Sequence, residues 1–280
     1  MAPTTPPDLA LRLQERTAAW HVEVETTVET EGSLLAFGRR DRAPVVLKLI
    51  KRRGDEWHAG RVLEAFDGHG VVRVLAHAAG ALLLERLLPG ESLATIALEG
   101  DDDGATAVLA AVIGRMQPRT PSSVPSVLDW GRGFERYLAG GASAIPPGLV
   151  VEAQNTYARL VATQSRPRLL HGDLHHDNVL HDSARGWLAI DPKGVFGELE
   201  YEVGAALRNP YERPELFASS STIARRVDRF ASELGLDRER ILRWSFAQAV
   251  LSAIWQLEDG DAVGPDHPCL TLARAIRSSC

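Results

Sequence analysis

The chain has 280 residues, 45% of them hydrophobic and 24% charged, with a formal net charge of −6. These are globular proportions, enough for about two domains or two lobes around a sizeable core, and they exclude a disordered chain, a collagen-like repeat and a coiled coil. The mild acidity excludes a general nucleic-acid binder, which carries a basic footprint. The two cysteines, Cys269 and Cys280, supply no disulfide framework and point to a cytoplasmic protein. Neither a signal peptide nor an apolar run of membrane-spanning length is visible, so no membrane partner is expected.

Residues 1–7 hold three prolines and read as a loose tail, after which Asp8 is placed to cap a short helix through Trp20. His21-Val22-Glu23-Val24-Glu25 then alternates apolar and polar residues, the period of a strand. Glu31-Gly32-Ser33 interrupts, residues 34–37 resume, residues 38–44 turn, and residues 45–50 form a third strand, apolar except for Lys48. This is an antiparallel meander. A helix carrying Glu56 is predicted over 54–66, with further strands over 71–75 and 81–84. Leu87-Leu88-Pro89-Gly90 breaks the pattern and sets a lobe boundary, dividing the chain into 1–88 and 89–280.

Beyond the boundary the chain turns helical. Ala105, Val108, Leu109, Val112, Ile113 and Met116 share one helix face, with Asp102 or Asp103 as its cap. A Pro/Ser-rich loop over 117–125 precedes a helix over 150–162, a region of short elements over 168–191, and closing helices over 222–234 and 237–257. Strands first and helices after imply an α+β chain in two lobes.

The most informative segment is His171-Gly172-Asp173-Leu174-His175-His176-Asp177-Asn178-Val179-Leu180, followed by Trp187-Leu188-Ala189-Ile190-Asp191-Pro192-Lys193-Gly194. Asp173 and Asn178 lie five apart on one loop, and Asp191 ends the next strand. Phosphoryl transfer from a nucleotide needs such a set: a carboxylate for the acceptor hydroxyl, and an amide and a second carboxylate for Mg²⁺, which takes oxygen ligands. An isolated aspartate is more often a turn former, and an isolated strand lysine a snorkelling side chain. Lys48, Glu56, Asp173, Asn178 and Asp191 in this chain order make a joint coincidence improbable. His171, His175, His176 and His181 also cluster, but the stretch contains Gly172, lacks helix periodicity and offers no thiolate, so zinc is set aside. His171 is expected to bond backbone and brace the loop.

These motifs, with Phe66-Asp67-Gly68, residues 79–86 and Leu251-Ser252-Ala253-Ile254-Trp255, give the chain its likeness. It resembles the aminoglycoside phosphotransferases of the protein-kinase-like superfamily, and more narrowly the streptomycin 6-phosphotransferase and hydroxyurea kinase family. The resemblance runs from about Trp20 to the end. It implies a kinase-like fold with a small antiparallel-sheet N-lobe and a larger helical C-lobe, Mg²⁺, and ATP or GTP as co-substrate. It also implies a small-molecule acceptor and a monomer. By position, Asp173 matches the catalytic base, Asn178 and Asp191 the metal ligands, Lys48 the phosphate-contacting lysine and Glu56 the glutamate orienting it. Leu87 and Leu88 fall at the hinge that holds the base. Ser33 falls in the nucleotide loop, whose single glycine, Gly32, contrasts with the several of a protein-kinase loop.

Acidic residues gather at Glu198, Glu200 and Glu202 and again at Glu258, Asp259 and Asp261. Trp255 and Glu258 share a helix face, and an aromatic plane beside a carboxylate suits a flat cation. Trp255, Glu258 and Asp259 are therefore the candidate acceptor site. The expected function is phosphorylation of a streptomycin-like aminoglycoside, conferring resistance. Alternatives are a kinase for an amino sugar, an amino alcohol or hydroxyurea, and a nucleotide-binding module without catalysis.

Overall fold

Alternation along one strand sets the layout of the N-lobe. In residues 45–49, Val45, Leu47 and Leu49 are buried on one side, while Lys48 faces the other. The computed structural model describes residues 9–119, 124–141, 144–211 and 213–279. The tail, its capping Asp8 and residues 120–123 of the Pro/Ser-rich loop lie outside that set.

The N-lobe runs α1 (Leu9–Trp20), β1 (Glu23–Glu29), β2 (Ser33–Arg40), β3 (Ala43–Ile50), a 3-10 turn Asp55–His58, α2 (Ala59–Phe66), β4 (Val74–Ala78) and β5 (Ala81–Glu85). Its strands form one antiparallel sheet in the order β1-β2-β3-β5-β4. α1 covers one face: Leu9, Leu13 and Trp20 pack on Val22, Ala36, Val45, Leu47, Leu49, Ala81 and Leu83. Buried Arg12 ties the helix down by donating to Ile50 O at 2.8 Å and Gly80 O at 2.6 Å. On the other face Val62, Leu63 and Phe66 of α2 join Leu82 and Leu84 in a core that continues into the C-lobe.

Three local expectations are corrected. The turn read over 38–44 shrinks to Asp41 and Arg42, with φ of 50° and 68°, and pairing continues to Arg40↔Ala43. A two-residue hairpin turn needs positive φ at both centres, and Asp-Arg lacks the Asn-Gly signature that announces one. The strand read over 71–75 starts only at Val74, because Val71 bridges in parallel to Ala189 and Val72 N donates to Ala189 O at 2.9 Å. The helix read over 54–66 begins as a 3-10 turn.

The C-lobe adds β6 (Pro89–Ser92), α3 (Leu93–Leu98), α4 (Asp102–Arg115), α5 (Val127–Ala139), α6 (Pro147–Ala162), β7 (Arg168–Leu170), a 3-10 turn His176–Asn178, β8 (Val179–Asp182), β9 (Gly186–Ala189) and β10 (Val195–Gly197). It closes with α7 (Leu199–Leu207), α8 (Pro214–Phe217), α9 (Ser220–Leu234), α10 (Arg238–Asp259) and α11 (Pro268–Ser279). α10 is its axis: every residue from Trp244 to Ile254 is buried, as a helix surrounded by others requires. The cap of α4 is Asp101, which accepts from Gly104 N at 2.9 Å. Asp102 and Asp103, expected there, instead pair with Arg225 and Arg226 and with Arg229.

α5 escaped the periodicity reading although Ser126-x-x-Asp129 is a capping box. Gly131 and Gly133 inside the helix read as breakers. A Cβ on Gly131 would lie 2.7 Å from the Tyr157 ring and one on Gly133 2.7 Å from Leu251, so the glycines permit close packing on α6 and α10. Among the described residues no helix is long and apolar enough to cross a membrane.

Candidate active site

β7 delivers the chain into His171-Gly172-Asp173, and β10 returns beside it. Asp173 N donates to His171 Nδ1 at 3.3 Å. The ring proton therefore sits on Nε2 and is donated to Ile190 O at 2.7 Å. The imidazole thus links Asp173 to the residue before Asp191, the bracing expected from the sequence. Gly172 has φ of 84°, and a Cβ there would meet the Trp130 ring at 2.9 Å. The loop backbone is clamped from below by Glu202 of α7, whose carboxylate accepts from His171 N at 2.6 Å and Gly172 N at 3.0 Å. Burial pushes the Glu202 pKa up to about 7 against those backbone donors, which favour the charged form.

His171 and His176 are both buried, and burial pushes their pKa values down to about 4 and about 3. An unfolded histidine titrates near ~6.5. Above that pH both states are neutral and the two residues add no pH dependence to stability. Below it the unfolded chain takes up protons that the folded chain refuses, so stability falls as the pH drops from about 6.5 towards about 4. The melting temperature should fall across this window, and His176→Phe should make the fall shallower. An unchanged slope in that variant would reject the assignment.

Asp173 is cradled by two cations: Lys193 Nζ lies 3.0 Å from Oδ2 and Arg208 Nη2 3.3 Å from Oδ1. Burial alone would raise its pKa, but Lys193, His175 and Arg208 outweigh burial and hold it well below the usual carboxylate range. Asn178 Nδ2 donates to Asp173 O at 2.9 Å, and Asn178 O accepts from Ile190 N at 2.9 Å. That backbone bond ties Asn178 to the residue before Asp191, and an amide oxygen and a carboxylate oxygen are donor types that a hard cation takes. Lys48 Nζ reaches both Asp191 Oδ1 and Glu56 Oε2 at 2.9 Å, so the predicted Lys48–Glu56 pair forms and includes Asp191. Burial acts to lower the Lys48 pKa, but the two carboxylates prevail and raise it. An ammonium on the buried face of a sheet demands such partners.

At the turn expected to be the nucleotide loop, Ser33 is buried and its hydroxyl lies 3.0 Å from Thr30 Oγ1. The turn is closed by these side chains and by Lys51 N donating to Gly32 O at 2.9 Å. At the hinge the two leucines differ. Leu88 N donates to Asp182 Oδ2 at 3.1 Å and Leu88 O accepts from Ser183 N at 2.7 Å, so its backbone ties the hinge to the β8–β9 hairpin. Leu87 is buried, and its backbone groups have no partner among the described residues.

A cavity of about 390 Å³ is lined by Asp129, Trp130, Arg136, Lys193, Trp255, Glu258 and Asp259, and Lys193 connects it to Asp173. The three acceptor candidates therefore do converge. Trp130 and Trp255 meet edge-on with ring centroids 5.5 Å apart. Glu258 is not free, because both its oxygens accept from Arg136 at 2.9 Å. Asp129 caps α5 through Ser126, and Asp259 is exposed with no side-chain partner among the described residues. The other acidic cluster is structural. Glu198 is buried, accepting from Ser165 N at 3.1 Å and from Arg240 and Trp244, and Glu202 is the loop clamp.

Sequence reasoning did not reach Lys193, Arg208, Trp130, Asp129 or the clamp role of Glu202. Lys193 lay in the Asp-Pro-Lys run and Asp129 in a capping box, whereas nothing local marks Arg208.

Residues 19–260 match the sequence profile of a family described as aminoglycoside/hydroxyurea antibiotic resistance kinase. The chain is 37% identical over 238 residues to a streptomycin 3''-kinase of Klebsiella pneumoniae, covering 82% of this chain and 86% of the relative. It is 31% identical over 276 residues to a streptomycin 6-kinase of Streptomyces glaucescens, covering 95% and 88%. The solved structure of the aminoglycoside phosphotransferase APH(4)-Ia superposes with a TM-score of 0.66, covering 98% of this chain and 100% of that one at 14% identity, a likeness of fold.

Proposed function

The chain belongs to the aminoglycoside/hydroxyurea antibiotic resistance kinase family, and from that membership we propose that it transfers the γ-phosphoryl group of a nucleoside triphosphate to a hydroxyl of a streptomycin-like aminoglycoside, conferring resistance. It is a phosphotransferase with a nucleotide as one substrate and a small molecule as the other. The observation that carries the reading is the chain of contacts that links the set: Lys48 pairs with Asp191, Asn178 is bonded to the residue before Asp191 and to Asp173 O, and Lys193 on Asp173 lines a cavity.

In this reading Lys48, oriented by Glu56, holds the α- and β-phosphates. The turn at Ser33 covers them, and the Leu87 backbone takes the base while Leu88 fixes the hinge. Asn178 and Asp191 would hold Mg²⁺, which neutralises phosphate charge when bound. Asp173 orients the acceptor hydroxyl and receives its proton. Positioning supplies most of the rate, because the protein does little covalent work in phosphoryl transfer.

The cavity suits a cation. Its three carboxylates outnumber its two basic side chains, and the Trp130–Trp255 corner offers aromatic surface to a guanidinium. Nucleotide turnover with a panel of aminoglycosides, amino alcohols and hydroxyurea tests the function. Turnover stimulated only by hydroxyurea or by a neutral alcohol would overturn the aminoglycoside assignment. Asp259→Asn combined with Glu258→Gln should raise the KM for a cationic acceptor about tenfold, the scale of one or two charge-assisted contacts. Glu258→Gln adds to the effect by exposing Arg136. The nucleotide KM should not move, and the effect should shrink as salt rises. An unchanged acceptor KM in the double variant would place the acceptor elsewhere.

A further inference from the structure

Lys193 stands where two spaces meet, and no role given above uses it. It lines the acceptor cavity of about 390 Å³ and also an opening of about 360 Å³ walled by Gly54, His58 and Val62 of the N-lobe. Its backbone is pinned to the catalytic loop: Lys193 N and Gly194 N both donate to His171 O, at 3.0 and 2.9 Å. Its side chain is held by a single contact, the 3.0 Å pair with Asp173 Oδ2. The other cation on Asp173 is differently placed. The Arg208 side chain is 9% exposed against 35% for Lys193, and its second nitrogen donates to Gln248 at 2.7 Å.

These contrasts decide which oxygen of Asp173 an acceptor can use. Each oxygen carries one cation and keeps a second lone pair, so a hydroxyl approaching from the cavity competes for Asp173 with the cation on that side, and only Lys193 of the two lines the cavity. Arg208 is buried and doubly anchored. Lys193 is half-exposed, lines the cavity from which the acceptor comes, and has a flexible four-carbon stem. Once displaced, its ammonium is still carried by a backbone fixed beside Asp173, within reach of the acceptor oxygen.

We propose that Lys193 is a catalytic residue: its ammonium leaves Asp173 Oδ2 when the acceptor hydroxyl docks there and then pairs with the oxygens of the phosphoryl group in transfer. The inference rests on the kinase reading and deepens it. The acceptor oxygen forms the new bond to the γ-phosphorus with its own lone pair. The bond from that phosphorus to the β,γ-bridging oxygen breaks, its electron pair leaving with the nucleoside diphosphate. The hydroxyl proton passes to Asp173 and from there to water. In the resting enzyme Lys193 neutralises Asp173, and during transfer it neutralises charge on the moving phosphoryl oxygens. An interaction made only at that stage raises turnover rather than binding.

The test is steady-state kinetics in both substrates for wild type, Lys193→Met, Lys193→Arg and Lys193→Ala, with and without added ethylammonium. Lys193→Met should lose about 10²- to 10³-fold in kcat, the scale of one preorganised charge at a developing anion. Both KM values should stay within about threefold of wild type, since uniform binding is not what is removed. Lys193→Arg should keep part of the rate, and ethylammonium should restore Lys193→Ala at least about tenfold towards the wild-type rate. A Lys193→Met enzyme turning over within about threefold of wild type would overturn the proposal. So would a loss confined to acceptor KM, or a slow Lys193→Ala enzyme that ethylammonium leaves unchanged. A wild-type protein that phosphorylates no acceptor would sink the kinase reading and this inference together, whereas an active wild type with an equally active Lys193→Met variant sinks the inference alone.

Discussion

Asp173→Asn should lower turnover at least ~10²-fold while leaving nucleotide affinity nearly intact. The substitution keeps the shape of the side chain and removes both its charge and one of its two acceptor oxygens. Two cations, Lys193 at 3.0 Å and Arg208 at 3.3 Å, then face an amide that can donate towards them. Because these cations hold the Asp173 pKa well below the ordinary carboxylate range, the group is ionised throughout the physiological range. In the proposed reaction it would therefore be a weak base that orients the hydroxyl and takes the proton late, as the new bond to phosphorus makes that proton acidic. It follows that kcat/KM, which reports the free enzyme, should show no acid limb from Asp173 between about pH 5 and 7. Single-turnover rates and nucleotide affinity measured on the same preparation check both points. Near-normal turnover in the variant would remove Asp173 from the reaction.

Asp191→Ala should cost still more, about 10³-fold in activity, with nucleotide binding losing its dependence on Mg²⁺. One oxygen of Asp191 pairs with Lys48 at 2.9 Å, and the preceding residue is bonded to Asn178, with Ile190 N donating to Asn178 O at 2.9 Å. Its removal leaves the buried Lys48 ammonium with Glu56 alone, free to swing away from the phosphate position. Asn178→Ala should be milder, because a water can replace one neutral amide oxygen on a cation that keeps several waters. Nucleotide binding titrated against Mg²⁺ separates the variants. A fully active Asp191→Ala enzyme would refute the kinase reading itself.

What the sequence determined by itself was the chemistry and its chain order. The apolar run of residues 45–50 marked Lys48 as its one charge, and the five-residue step from Asp173 to Asn178 marked a loop with two polar ends. Such features are local: period and spacing are set by backbone geometry within a few residues, and so they are legible without a fold. The two-lobed α+β order was legible for the same reason, as was the brace formed by His171. The tertiary structure alone decided which of those groups are free. Glu202 and Glu198 read as members of an acidic surface cluster, yet both are buried, one under the catalytic loop and the other against Arg240 and Trp244. Glu258 read as a free carboxylate, yet Arg136, 122 positions away, occupies it. Arg208 reaches Asp173 across 35 positions with no local signal at all. Partners so distant in the chain are chosen by how helices pack, through glycines such as Gly133 that let α5 close on Trp255. Packing depends on the summed shape of many side chains, and a pattern of a few residues does not contain it.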